Sequence, residues 1–172
     1  MPKTSIFWFR RDLRISDNPA LLAALAEGDE VLPIFIVDQA ISDRAGEFRR
    51  SYLASALKHL DKTLDGNLQV FEGDAVEILK NLTKKYNATS IHCAKQYAPY
   101  GVALEKKIAE SGIDLTFTGS DYAVDPGKVR KPDGTPYKVY TPFYKGWMSL
   151  GWQKPEPFNG FDASGMPTMS WV

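Results

Sequence analysis

Two rhythms of apolar and polar residues take turns along the chain as far as Ser120. Short runs that are apolar almost throughout alternate with longer stretches whose apolar residues recur every three to four positions. These are the patterns of buried strands and amphipathic helices. "SIFWFR" (5–10) is the first run. Asp17 or Asn18 then offers a side-chain cap, Pro19 suits a first helical turn, and "ALLAALAEG" runs to Gly28 as a stop. "EVLPIFIVD" (30–38) has the continuous apolar character of a strand covered on both faces, and Pro33 within it predicts a bulge or the strand's start. A helix over 46–65 carries Leu53, Leu57, Leu60 and Leu64 on one stripe. "LQVFEGD" (68–74) reads as a third strand, and "AVEILKNLTKKYN" (75–87) as a helix turning Val76, Leu79, Leu82 and Tyr86 inward. "SIHCAK" (90–95), "YGVALEKKIAESG" (100–112) and "DLTFTG" (114–119) complete the series as strand, helix and strand.

Strands separated by helices in this way join by right-handed crossovers. The predicted fold class is therefore α/β, a doubly wound five-stranded parallel sheet with helices on both faces. Past residue 120 the rhythm stops. "DYAVDPGKVRKPDGTPYKVY" (121–140) reads as a long loop with a turn at "PDGTP", and "TPFYKGWMSLGW" (141–152) as a short aromatic helix. The Pro- and Gly-rich tail from Lys154 to Val172 reads as a linker to something else. The expected division is 1–122 as the α/β domain and 123–172 as loop, short helix and linker.

Composition narrows the function classes. Lys and Arg total 21 and so do Asp and Glu, so no net field draws the whole chain onto a polyanion or membrane. A single cysteine, Cys93, excludes an internal disulfide, and its apolar neighbours mark it as a core residue. No apolar run is long enough to span a bilayer, and charge interrupts the N-terminal segment too early for a signal peptide, so a soluble, cytoplasmic domain is expected. The first strand-to-helix turn lacks G-x-G-x-x-G, and no G-x-x-x-x-G-K-[ST] occurs, which argues against those two nucleotide-binding classes. His59, expected to be solvated, and His92 form no metal set with Cys93. No catalytic residue is indicated. The scaffold alone favours binding over catalysis.

In a doubly wound sheet the ligand sits at the carboxyl ends of the strands. The loop leaving the first strand places Arg10, Arg11, Asp12 and Arg14 there. Such a cluster serves either as a surface ion-pair network or as a wall that grips a ligand or a neighbouring domain.

"FWFRRDLRISDNPAL" resembles the first strand, loop and helix of the DNA photolyase/cryptochrome family, and the resemblance continues in register. "VLPIFIVD", "FRRSYLASALKHLDKTL", "VFEGDAVEILKNL", "QYAPYGVALEKKI" and "KPDGTPYKVYTPFYKGW" are similar to successive family segments. The resemblance implies the Rossmann-like N-terminal domain of an enzyme that splits cyclobutane pyrimidine dimers with light. In that family FAD and the damaged DNA are held by a helical C-terminal domain, expected to be absent from this chain. The N-terminal domain binds an antenna chromophore (folate, deazaflavin or FMN) that passes excitation energy to FAD. A cryptochrome parent and a free-standing nucleotide-binding α/β module stay open as alternatives.

On this resemblance the antenna cleft draws on Arg10, Arg11, Phe35, Val37, Asp38, Arg44, Phe48, Arg49, Arg50, Gln96, Tyr97 and Tyr100. Gln96 stands where several deazaflavin-binding relatives carry an acid, which counts against a deazaflavin. Asp12, Arg14, Tyr140, Phe143 and Trp147 are expected at the domain interface, and Arg130 and Lys131 in the basic loop on DNA phosphates. Trp8, Trp147, Trp152 and Trp171 are expected in packing or interdomain contact, not in the family's electron relay. The partners implied are the chain's own FAD domain and, through the whole protein, UV-damaged DNA. A monomer is expected.

Overall fold

The computed structural model describes residues 2–155; Trp171 and the linker expected over 156–172 lie outside the described residues. Five parallel strands form one sheet: β1 (Thr4–Phe9), β2 (Glu30–Val37), β3 (Gln69–Glu72), β4 (Ser90–Lys95) and β5 (Thr116–Ser120), in the spatial order β3-β2-β1-β4-β5. The connecting helices are α1 (Pro19–Glu27), α2 (Gln39–Ser42), α3 (Glu47–Thr63), α4 (Ala75–Tyr86) and α5 (Pro99–Glu110), with α6 (Tyr140–Leu150) following the long loop. The predicted α/β sheet class is the fold observed.

β1 is the central strand, and all six of its residues are buried. Successive side chains on a strand point to opposite faces. Ile6 and Trp8 therefore pack with Leu32, Ile34 and Ile36 of β2 under α4 and α5, through Val76, Leu79 and Ile108. Phe7 and Phe9 pack with Val31 and Phe35 under α1 and α3, through Leu21, Leu57, Leu60 and Leu64. Each fully buried large side chain contributes roughly 1.5–3 kcal/mol of hydrophobic stabilisation. The core is thus two apolar layers divided by the sheet.

Local chemistry sets the helix ends. Asn18, not Asp17, caps α1, its Oδ1 accepting from the Leu21 N–H at 3.1 Å. Asp38 caps α2 and Asp74 caps α4 in the same way. Two sequence readings change. Pro33 produces no bulge: β2 keeps unbroken register from Glu30 to Phe35 against β1, with Pro33 opposite Phe7. β3 begins to pair only at Ile34, so β2 has a partner on one side at the proline, where a missing N–H costs least. The one-turn helix α2 was not expected, being too short to show periodicity. Cys93 is fully buried, and burial above all pushes its thiol up to about 12, as an inert core residue requires.

Candidate functional site

Arg10 continues the face of β1 that carries Ile6 and Trp8, so its guanidinium emerges beneath α5. There it pairs with Glu105 at 2.5 Å and lies 4.7 Å from the centre of the Trp8 ring. Both side chains are nearly enclosed, at 6% and 12% exposure. The charge of Arg10 is consumed inside the wall and is not presented to a ligand. Glu105 was missed by sequence reasoning. Its signal was an acid on the inward face of α5, four residues after buried Gly101 and three before buried Ile108. A carboxylate at such a place requires a cation.

Around this pair opens a cleft of about 880 Å³ at the carboxyl edge of the sheet. Its floor is the end of β1, from Trp8 to Arg11, and the end of β2, from Phe35 to Asp38. Arg44, Arg49, Arg50 and Leu53 close it from α2, the turn that follows and α3; Gln96, Tyr100 and Leu104 close it from the α5 side. Ten of the predicted cleft residues therefore meet in one concavity: Arg10, Arg11, Phe35, Val37, Asp38, Arg44, Arg49, Arg50, Gln96 and Tyr100. Asp38 binds the two sides together, its Oδ1 accepting from the Ala40 N–H and its Oδ2 accepting from the Tyr100 hydroxyl. Burial first, and then that carboxylate, pushes the Tyr100 phenol up to about 12, so Tyr100 is a neutral donor at ordinary pH.

The arginines on the opposite lip are differently placed. Arg50 donates to the Ala45 carbonyl, and among the described residues none of Arg44, Arg49 and Arg50 has an acidic partner within salt-bridge distance. Arg49 and Arg50 sit in the first turn of α3, whose cap, Gly46, provides no side-chain acceptor. Cations at a helix N-terminus oppose its dipole, and an anion bound between them relieves that misfit. Phe35, Ile36, Val37, Leu53 and Leu104 supply apolar walls. A flat conjugated group with an anionic tail fits this donor and wall set.

Two predicted residues leave the cleft. Phe48 is 93% exposed. It precedes Leu53 by five positions, which turns it about 140° round α3 from the inward leucine stripe. Tyr97 follows Gln96 in extended chain and points the other way, onto Tyr122 at 6.0 Å between ring centres; burial, then Asp125, raises its phenol.

The other predicted residues lie outside the cleft lining, with contacts of their own. Arg14 pairs with Asp12 at 2.9 Å and Asp17 at 3.6 Å, and Arg11 reaches Asp121 at 3.6 Å. This is the surface ion-pair network that residue chemistry allowed. Burial, partly offset by Arg14, raises the Asp12 carboxyl. Arg130 donates to the carbonyls of Gly127 and Gly134, bracing its own loop, and the Lys131 backbone closes the turn through Thr135 and Gly134. On α6, Tyr140, Tyr144 and Trp147 stack in series and continue to Trp152, with ring centres 5.8, 6.3 and 4.8 Å apart. Phe143 meets Tyr137 edge-on at 6.5 Å, and no residue of α6 is buried. Among the described residues no group of acids, histidines and cysteine could hold a metal, and no helix is long and apolar enough to cross a membrane.

The sequence family described as DNA photolyase matches residues 5–159. The chain belongs to the DNA photolyase family. It is 33% identical over 147 residues to a deoxyribodipyrimidine photo-lyase of Agrobacterium fabrum, covering 81% of this chain and 30% of that relative. A bacterial class III photolyase from Agrobacterium tumefaciens superposes with a TM-score of 0.79 at 29% identity, over 100% of this chain and 36% of the other. An archaeal photolyase from Sulfolobus tokodaii, solved with two FAD molecules, gives 0.76 at 30% identity, over 91% of this chain and 37% of the other. The chain thus spans about a third of the length of the photolyases it matches, and corresponds to their α/β domain.

Proposed function

We propose that the chain is the antenna-binding domain of a light-driven deoxyribodipyrimidine photo-lyase, and that the cleft at the carboxyl edge of the sheet holds the light-harvesting chromophore. The observation that supports this most is the cleft itself: apolar walls, one neutral polar side and a lip of three arginines with no acidic partner among the described residues. Folate, deazaflavin and FMN each combine a flat ring system with a polar or anionic tail. Bound there, the chromophore would absorb near-UV or blue light and hand the excitation to FAD in the helical domain of the whole protein. The residues bind and orient. Arg44, Arg49 and Arg50 draw the tail to the α3 side, Phe35 and Val37 exclude water from one face, and Gln96 and Tyr100 fix the opposite edge.

In the whole protein, Asp12, Arg14, Tyr140, Phe143 and Trp147 face the FAD domain, and Arg130 and Lys131 lie toward DNA phosphates. The chain by itself performs no repair.

Titrating the purified chain with FMN, a deazaflavin and folic acid, followed by fluorescence and absorbance, tests the reading. At least one ligand should bind at micromolar concentration, and the Arg49→Ala/Arg50→Ala double variant should bind it about tenfold more weakly, as loss of charge-assisted contacts implies. No binding of any of the three overturns the antenna role. Photorepair of cyclobutane dimers by the full-length parent tests the enzyme; antenna binding without repair would make the parent a cryptochrome.

A further inference from the structure

We propose that residues 38–46 form a strap across the cleft that gates ligand entry, with the Asp38–Tyr100 hydrogen bond as its latch and Gly46 as its hinge. The inference rests on the cleft being a chromophore site, and it concerns how a ligand enters and leaves, not which one binds.

Three observations carry it. The strap contributes Asp38, Ala40, Ile41, Ser42, Arg44 and Ala45 to the cleft wall, yet none of residues 38–46 is buried and none belongs to either apolar layer. Its backbone is bonded to itself: the N–H groups from Ile41 to Ala45 donate to carbonyls between Asp38 and Ser42. Among the described residues only two hydrogen bonds tie residues 39–45 and the Asp38 side chain to other parts of the domain. Tyr100 of α5 donates to Asp38 Oδ2, and Arg50 of α3 donates to the Ala45 carbonyl. A one-turn helix does not hold its shape alone, so these ties fix the strap. Finally, Gly46 joins the strap to α3 at a φ of −64°, where a Cβ would meet nothing within 4 Å. Neither conformation nor space demands glycine in this closed arrangement, and Ser, Thr, Asn or Asp would cap α3 better. The freedom of that glycine is used only when the strap swings.

The latch spans the cleft from the end of β2 to the first turn of α5. Releasing it lets the strap move outward about Gly46 and opens the wall without disturbing the sheet. The latch closes over an empty and an occupied cleft alike, so it cancels from affinity and acts on rates. Its loss speeds entry and exit together. A side chain that merely touched the ligand would change the exit rate and leave entry alone.

The test uses wild type, Tyr100→Phe and Gly46→Ala, each as the full 172-residue chain. Tyr100 is half-exposed and position 46 faces open space, so both variants should melt with wild type. Without ligand, Tyr100→Phe should speed hydrogen exchange at the amides of residues 41–45 about tenfold, while β1 and α4 keep their rates. Stopped-flow fluorescence then follows whichever of FMN, a deazaflavin and folic acid binds. Tyr100→Phe should raise the association and dissociation rates about tenfold each, and Gly46→Ala should lower both about threefold, with dissociation constants within about twofold of wild type. Unchanged strap exchange in Tyr100→Phe, or a wild-type association rate in both variants, overturns the gate and leaves the antenna reading intact. Wild type that binds none of the three probes removes both.

Discussion

Arg10 and Arg49 are the same residue type at opposite sides of one cleft, and their surroundings give them opposite tasks. Arg10 is enclosed with Glu105 and Trp8; Arg49 is exposed and, among the described residues, forms no ion pair. Removing one member of an enclosed ion pair strands the other charge in a poorly solvated place, which costs about 3–5 kcal/mol. Glu105→Ala should therefore lower the unfolding free energy by about 3 kcal/mol, whereas Arg49→Ala should change it by less than about 0.5 kcal/mol, as surface substitutions do. Urea denaturation of the two variants measures both. The pair Arg10→Met/Glu105→Leu should regain most of the loss, because well-packed apolar residues often replace a buried ion pair without penalty. Failure of Glu105→Ala to destabilise would mean that water reaches the pair and that Arg10 is open to the ligand after all.

At the scale of elements, α4 shows how one side chain does two jobs. Asp74 Oδ1 caps the helix by accepting from Val76 and Glu77, while Oδ2 accepts from Lys107 of α5 at 2.6 Å. The hydrogen bond from Lys107 is the main cause that holds the Asp74 carboxyl below its ordinary value of 3.8. A carboxyl with a depressed folded pKa contributes stability that is full above its unfolded pKa and fades as pH falls through the folded one. Asp74→Ala should cost about 1 kcal/mol at neutral pH through loss of the cap. Asp74→Asn keeps the cap and loses the charge, so its deficit against wild type should be present at pH 6 and close as pH drops below about 3.8. Melting curves across that range decide it; a deficit that persisted in acid would mean that Lys107 contributes nothing through the carboxylate.

The elements themselves were largely legible, because alternating burial and a leucine stripe are written directly in residue order: Ile6, Phe7, Trp8 and Phe9, or Leu53, Leu57 and Leu60. Strand order, Pro33's place in an unbroken strand and the one-turn α2 were not, since each depends on what lies beside the chain and not along it. The same limit explains the cleft. Its walls are legible in residue order, whereas the outward turn of Phe48 follows only from the helical arithmetic of α3, and the pairing of Arg10 with Glu105 joins residues 95 positions apart.

For the molecule as a whole, stability and exposed aromatic surface are concentrated in different places. The two apolar layers sit on either side of β1, while α6 presents Tyr140, Phe143, Tyr144 and Met148 to solvent and buries no residue. A contiguous exposed apolar face of this kind marks an interaction surface. Since it adds little to the core, its amides and its side chains should report on local opening and not on global unfolding. Tyr140→Ala should therefore shift the unfolding free energy of this chain by less than about 0.5 kcal/mol. Hydrogen exchange in α6 should run orders of magnitude faster than in β1. In the full-length parent, if α6 is where the FAD domain docks, the α6 amides should become protected and Tyr140→Ala should return them toward the rates seen in the isolated chain. Equal exchange in both settings would place the interdomain contact elsewhere on this domain, with the Asp12 and Arg14 loop as the next surface to probe.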